Sequence, residues 1–75
     1  MAHATLLRLR DVRQRTGLSR SSIYLLESQG RFPRRLKPSP GTSAWLEDEV
    51  ETWIAARVRE RDARPLVAAP RVAAG

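Results

Sequence analysis

The chain has 75 residues, with 14 Lys and Arg against 8 Asp and Glu, and it contains no cysteine. A domain of this size buries only about 60% of the surface of its unfolded chain, so a large enclosed catalytic cleft is not expected. The lack of cysteine excludes disulfides, iron–sulfur clusters and thiolate zinc sites, and is usual in reducing compartments. No apolar stretch approaches the roughly 18 residues of a membrane span, and the N-terminus lacks the apolar part of a signal peptide. We therefore expect a soluble protein that is not exported.

The positive charge is concentrated in the first part of the chain. Residues 1–46 carry nine basic and two acidic side chains, whereas residues 47–75 carry five basic and six acidic ones. A field polarised in this way attracts a polyanion to the basic part only. Together with the small size, this distribution favours a nucleic acid as the partner.

The first predicted element is a short helix that ends at Thr16. Residues 1–5 show no periodicity and are expected to form a flexible N-terminus. After them, from Leu6, the residues Leu9, Val12 and Thr16 recur at the spacing of one helix face. Gly17 predicts the end of this helix, because glycine adopts a positive φ angle at low cost.

A second helix is predicted over residues 19–29. Ser19 is its expected N-cap, since a serine oxygen can accept a hydrogen bond from an unpaired amide of the first turn, and Gly30 ends it. On a helical wheel Ile23 and Leu26 lie on one side, while hydroxyl, aromatic and basic groups lie opposite. Such groups suit a DNA groove, because hydroxyls bind phosphates or base edges and arginine binds phosphate or guanine. The predicted DNA-binding residues of this helix are Ser19, Arg20, Ser21, Tyr24, Leu25 and Ser28.

A small β-hairpin or extended loop is predicted after the second helix. Prolines exclude a helix between residues 31 and 45. Short extended arms at residues 36–37 and 43–45 flank the turn sequence Ser39-Pro40-Gly41. Basic residues lead into this segment, and we expect them to contact the DNA backbone together with one arginine of the first helix. These predicted contacts are Arg31, Arg34, Arg35, Lys37 and Arg10.

A third helix is predicted from Glu47 to about Arg61. Its apolar residues form a single stripe, which predicts packing on the core. The members of the stripe are Leu46, Val50, Trp53, Ile54 and Val58. Residues 62–75 contain two prolines and five alanines without periodicity, which predicts a disordered tail. We therefore expect one DNA-binding domain, residues 6–61, between two flexible ends.

No arrangement of residues predicts catalysis or a cofactor. His3 is the single histidine, and it lies in the flexible end, where no partner is held near it to complete a metal site or a serine–histidine pair. The glycines are too scattered to form a phosphate-binding loop. The acidic run at residues 47–51 complements the dipole of the third helix, and successive residues of a helix point apart. We expect no enzyme, no metal and no cofactor.

Three motifs stand in a fixed order along the chain: T-G-L-S-R-S-S-I-Y at 16–24, G-R-F-P at 30–33 and W-L-E-x-E-V-E-x-W at 45–53. Over about residues 7–59 the chain resembles the AlpA family of prophage regulatory proteins, small relatives of phage excisionases and of the MerR DNA-binding domain. The resemblance implies a winged helix-turn-helix whose second helix reads the major groove while the following loop forms a wing over the backbone or minor groove. It places Arg20, Ser21 and Tyr24 on the recognition helix and Arg34, Arg35 and Lys37 at the approach to the wing.

The chain departs from the family pattern at the tip of the wing. Relatives usually carry a Gly-Gly-Arg-like tip, whereas this chain has Pro38-Ser39-Pro40-Gly41. The arginine that would enter the minor groove is therefore missing.

The sequence thus predicts a mainly α fold with a small β-hairpin wing and three helices, acting as a sequence-specific transcriptional regulator of prophage or mobile-element type. We expect it in the bacterial cytoplasm at the nucleoid and not at a membrane. We expect a monomer or weak dimer in solution that binds double-stranded DNA cooperatively, with an integrase or RNA polymerase as a candidate further partner. Two alternatives stay open. One is an excisionase that binds and bends attachment-site DNA to steer an integrase, and the other is a protein-interaction adaptor without specific DNA binding.

Overall fold

The structure, a computed structural model, describes residues 4–64. Its elements are β1 (Leu6–Arg8), α1 (Leu9–Thr16), α2 (Arg20–Ser28), β2 (Leu36–Ser39), β3 (Thr42–Leu46) and α3 (Glu47–Ala63). Three helices and a small antiparallel sheet confirm the predicted winged helix-turn-helix. None of the helices in this part of the chain is both long and apolar enough to cross a membrane.

The predicted bounds of α2 and of the two hairpin strands lie within two residues of the observed ones, and the start of α1 and the end of α3 also differ. α1 starts at Leu9, because residues 6–8 form a strand that the sequence pattern does not reveal. α3 runs to Ala63, two residues beyond the predicted end. The predicted disordered tail therefore begins inside this helix, and from residue 65 onward it lies outside the described residues, as do residues 1–3 of the predicted flexible N-terminus.

The sheet has three antiparallel strands in the order β1-β3-β2. Strand β3 is central: Leu46 pairs with Leu6 of β1, and Ala44 pairs with Leu36 of β2. Strand β1 is too short to show the alternation of a strand, and it pairs with a strand far along the chain, so its sequence carries no local signal. The sheet ties the start of the chain to the predicted hairpin.

The turn between α1 and α2 forms as its residues predict. Gly17 has a φ angle of 75°, and its backbone N–H donates to the carbonyl oxygen of Arg13 over 2.9 Å. The Oγ atom of Ser19 accepts a hydrogen bond from the backbone N–H of Ser22 over 3.2 Å. These local interactions end α1, start α2 and set the direction of α2.

The core lies where α1, α2, the sheet and the start of α3 meet. It is made of Leu7, Val12, Ile23, Phe32, Trp45 and Val50. Complete burial of such side chains stabilises the fold by about 1.5–3 kcal/mol each. The predicted stripe of α3 is buried only in part, since Val58 is 43% exposed. At 17 residues, α3 is about 25 Å long, and its C-terminal half extends beyond the core.

An arginine of α1 holds the start of α3. The Nη1 atom of Arg15 lies 2.8 Å from Oε2 of Glu47 and 2.6 Å from Oε2 of Glu51. The guanidinium of Arg15 donates hydrogen bonds to Glu51 and to Glu47, and these bonds raise the pKa of Arg15 above its ordinary value. Two carboxylates of the acidic run thus join α3 to α1, in addition to complementing the helix dipole.

Candidate nucleic-acid interface

Two arginines from different segments lie over the ring of Tyr24. The Cζ atom of Arg20, one turn earlier in α2, is 5.7 Å from the ring centroid. The Cζ atom of Arg35, which directly precedes β2, is 5.0 Å from it. Both distances are within the range of about 6 Å for cation–π attraction. We use "wing" for β2, β3 and the turn between them. The ring of Tyr24 therefore contacts one cation from α2 and one from the segment that leads into the wing.

This cluster lines an open groove of about 650 Å³ between α2 and the wing, which we call the helix–wing groove. Its lining residues are Arg20, Tyr24, Glu27, Ser28, Gly30, Arg34, Arg35 and Ser43. Guanidinium and hydroxyl donors predominate among them, and these are the groups that bind phosphate oxygens. Five of the lining residues belong to the predicted DNA-binding set. Glu27, Gly30 and Ser43 do not. Ser43 reaches this groove only because the wing folds back on α2, which no local pattern of the sequence predicts.

The position of Tyr24 corrects the helical-wheel prediction. Its side chain is half-buried and packs on the core, with the ring centroid 6.3 Å from that of Trp45. The helical wheel places Tyr24 opposite the buried face of α2. However, α2 packs against the sheet as well as against α1, so the buried part of its surface is wider than packing on α1 alone would make it. Leu25 is 57% exposed, and Ser21 is exposed as well, as predicted.

Two of the predicted hydroxyls make hydrogen bonds within α2 and its cap. Besides accepting from the Ser22 amide, the Ser19 hydroxyl donates to Oγ of Ser22 over 3.0 Å. The Ser28 hydroxyl donates to the carbonyl oxygen of Leu25 over 2.7 Å. Their oxygens can still accept a bond, but their protons are in use. Ser21 has no side-chain hydrogen bond within residues 4–64, which leaves both functions of its hydroxyl for a base or phosphate.

The residues predicted to contact the DNA backbone lie in different parts of the surface. Arg34 and Arg35 line the helix–wing groove. Arg10 lies in a second groove of about 410 Å³ beside the α1–α2 turn, together with Arg13. Arg13 is absent from the predicted set, although its spacing of three from Arg10 puts both on one face of α1. Arg31 lies beside α3 instead.

Most cations near α2 are electrostatically uncompensated. Within the described residues, the following have no carboxylate partner: Arg10, Arg13, Arg20, Arg34 and Lys37. Such cations can neutralise phosphates without first breaking an ion pair. Arg35 differs, since its Nη1 atom lies 2.8 Å from Oε1 of Glu27. No group of three or more metal-ligating side chains is present between residues 4 and 64.

Comparison with known proteins identifies the family. A family profile described as "Prophage CP4-57 regulatory protein (AlpA)" matches residues 5–58, which include both grooves and most of α3. The uncharacterized protein ORF88 of Enterobacteria phage P4 is 42% identical over 55 residues. That alignment covers 73% of this chain but only 62% of the phage protein, so the chain spans less than two thirds of this relative. The winged fold, the basic residues around α2 and the profile match agree, and the chain belongs to the AlpA family of prophage regulatory proteins.

Proposed function

We propose that the protein is a sequence-specific DNA-binding regulator of prophage or mobile-element genes. In this proposal α2 enters the major groove, and the wing contacts the backbone beside it. The observation that carries the proposal is the meeting of Arg20 and Arg35 over Tyr24. Because a helix and a wing contribute to one groove, both can engage the same stretch of DNA.

The exposed side of α2 supplies the groups that read bases. Ser21 can bond to a base edge, and Leu25 can contact the methyl group of thymine. Arg20 can reach a phosphate or the O6 and N7 atoms of guanine, and the hydroxyl of Tyr24 can donate to a phosphate. An α-helix with its side chains is about 10–12 Å across, so α2 fits a major groove about 12 Å wide.

Cations of the wing segment and of α1 supply the backbone contacts. Arg34, Arg35 and Lys37 approach from the wing, and Arg10 approaches from α1 near the N-terminus of α2. A helix N-terminus itself favours phosphate, because its unpaired amides point outward. Ser19 lies at this end of the helix. Arg31 is the weakest member of the predicted set, since it faces α3.

The small size of the domain limits the affinity of one copy. A single module of this kind buries about 600–1,000 Å² on DNA. We propose that a monomer or weak dimer in solution acts on paired or repeated sites, where neighbouring copies bind cooperatively. An integrase or RNA polymerase bound next to it is a further proposed partner.

The regulatory role is preferred over an excisionase because the family description names a regulatory protein. An excisionase would use the same surfaces, so the two functions differ in the sites bound and the proteins recruited. An assay of prophage excision in cells, with and without this protein, separates them.

The decisive experiment is selection of bound duplexes from a randomised pool by the full chain. The affinity for the selected duplex and for a scrambled one is then measured by fluorescence anisotropy at moderate salt. We expect a preference of at least about 10³-fold, which is the lower range for specific DNA-binding proteins. Equal affinity for both duplexes, or no binding, rejects the proposal and favours a protein-interaction adaptor.

A further inference from the structure

Glu27 is an acidic residue in a groove that otherwise carries positive charge. It follows Arg20 and Tyr24 on one side of α2, and its side chain is only 13% exposed. Both of its carboxylate oxygens bind Arg35. Oε2 accepts the backbone N–H of Arg35 over 2.7 Å, and Oε1 accepts its guanidinium Nη1–H over 2.8 Å. A carboxylate at this place repels DNA phosphates. Glu27 can therefore favour DNA binding only through Arg35, the residue to which it is hydrogen-bonded.

The two hydrogen bonds fix Arg35 at its backbone and at its guanidinium. The backbone of Arg35 leads directly into β2, and its guanidinium lies over the ring of Tyr24. Hydrogen bonds between charged groups are shorter and stronger than those between neutral groups. A free arginine side chain would lose much rotamer freedom on binding, and ordering it beforehand lowers that cost.

We propose that Glu27 is a positioning residue of the interface. It holds Arg35 and the start of the wing against α2, so that helix and wing meet DNA as one preformed surface. This inference rests on the proposed DNA-binding function. Glu27 does not read a base, because Arg35 occupies both of its oxygens and the side chain is largely buried.

Charge and positioning predict opposite results for Glu27→Ala. If charge alone mattered, removing a carboxylate from the groove would strengthen binding to every duplex, since phosphate contacts dominate non-specific affinity. If Glu27 positions Arg35, binding to the selected duplex weakens by about tenfold, as expected for the loss of one charge-assisted interaction. Binding to the scrambled duplex is then unchanged or tighter.

The test compares the full-length wild type with Glu27→Ala, Glu27→Gln and Glu49→Gln on both duplexes. Glu27→Gln keeps an oxygen that can accept the Arg35 amide, so we expect a smaller loss. Glu49→Gln is the matched control for charge, because Glu49 is an exposed residue of α3 and lines neither groove beside α2. Hydrogen exchange of the Arg35 amide, followed by NMR without DNA, should be about tenfold faster in Glu27→Ala.

Each possible result of these experiments either supports or overturns the proposed positioning role of Glu27. A folded Glu27→Ala protein that binds the selected duplex as tightly as the wild type overturns it, as does unchanged exchange of the Arg35 amide. If Glu27→Ala does not fold, Glu27→Gln is combined with Arg35→Ala, and additive losses overturn the proposal because positioning acts only through Arg35. A wild type that prefers no duplex rejects the proposed function itself, while the amide exchange still reports whether Glu27 holds Arg35.

Discussion

The indole N–H of Trp53 donates a hydrogen bond to the backbone carbonyl oxygen of Arg31 over 2.7 Å. Phe32 packs edge-on against the same indole, with the ring centroids 4.9 Å apart. These contacts join α3 to the segment that connects α2 to the wing. Because Arg34 and Arg35 follow in that segment, we expect α3 to help position two residues of the proposed interface that it does not itself carry.

We expect Trp53→Phe to lower stability through loss of this hydrogen bond, while much of the ring packing on Phe32 is kept. The expected loss is about 0.5–1.5 kcal/mol. For a domain of this size, each kcal/mol lowers Tm by about 4–8 °C. Thermal unfolding followed by far-UV circular dichroism measures the change. An unchanged Tm would show that the hydrogen bond contributes nothing to the docking of α3.

Neighbouring positions of α2 should respond in opposite ways to truncation. Ile23 is fully buried, whereas Leu25 is 57% exposed. We expect Ile23→Ala to cost about 2–5 kcal/mol, because it leaves a cavity in the core. Leu25→Ala should change stability by no more than about 0.5 kcal/mol. Urea denaturation of both variants tests this, and a large loss for Leu25→Ala would mean that the exposed face of α2 is misassigned.

Arg20→Ala should weaken binding to the selected duplex by about 1–3 kcal/mol without unfolding the domain. Tyr24→Ala would confound binding with packing, because Tyr24 lies against Trp45. Tyr24→Phe is therefore the sharper variant, since it removes the hydroxyl and keeps the ring. Fluorescence anisotropy gives the affinities, and melting curves show whether each variant is folded. Wild-type affinity in both variants would contradict the assigned role of this face.

Lys37→Ala should reduce affinity for the selected and the scrambled duplex by the same factor, because a phosphate contact carries no base information. The slope of log affinity against log salt should become shallower by about 0.9. Arg59→Ala is the control, since Arg59 lies on the distant C-terminal half of α3 and its loss changes the net charge equally. Equal slopes for the two variants would exclude Lys37 from the interface.

The ion pairs of Arg15 should stabilise the fold independently of pH over the neutral range. In the folded protein the pKa of Arg15 is raised, because its guanidinium donates hydrogen bonds to Glu51 and Glu47. The contribution of a cation with a raised pKa is complete below its ordinary pKa and is lost only as the pH rises through the folded value. The Tm difference between wild type and Arg15→Gln should therefore be equal at about pH 6 and about pH 9. It should shrink in high salt, which screens exposed pairs, and a difference that varied between these pH values would contradict this account.

Around α2, local sequence patterns predict the secondary structure but not the contacts between segments. Gly17 and Ser19 predict the turn and the helix start, because a positive φ angle and a serine cap act over a few residues. Arg20 and Arg35 are both predicted DNA-binding residues on charge and position alone. Their meeting over Tyr24 is not predicted, since it depends on how the wing folds back on α2.

The amino-acid sequence by itself determined the order of the helices, the turn, the wing hairpin, the charge polarity and the family. Each of these depends on periodicity, on a turn residue or on motif spacing, all of which are read along the chain. Only the tertiary structure decided three features: that residues 6–8 pair with β3, that Tyr24 is half-buried, and that Glu27 binds Arg35. The physical reason is that each of these features requires two segments that are separate in the sequence to approach in space, which no local pattern specifies.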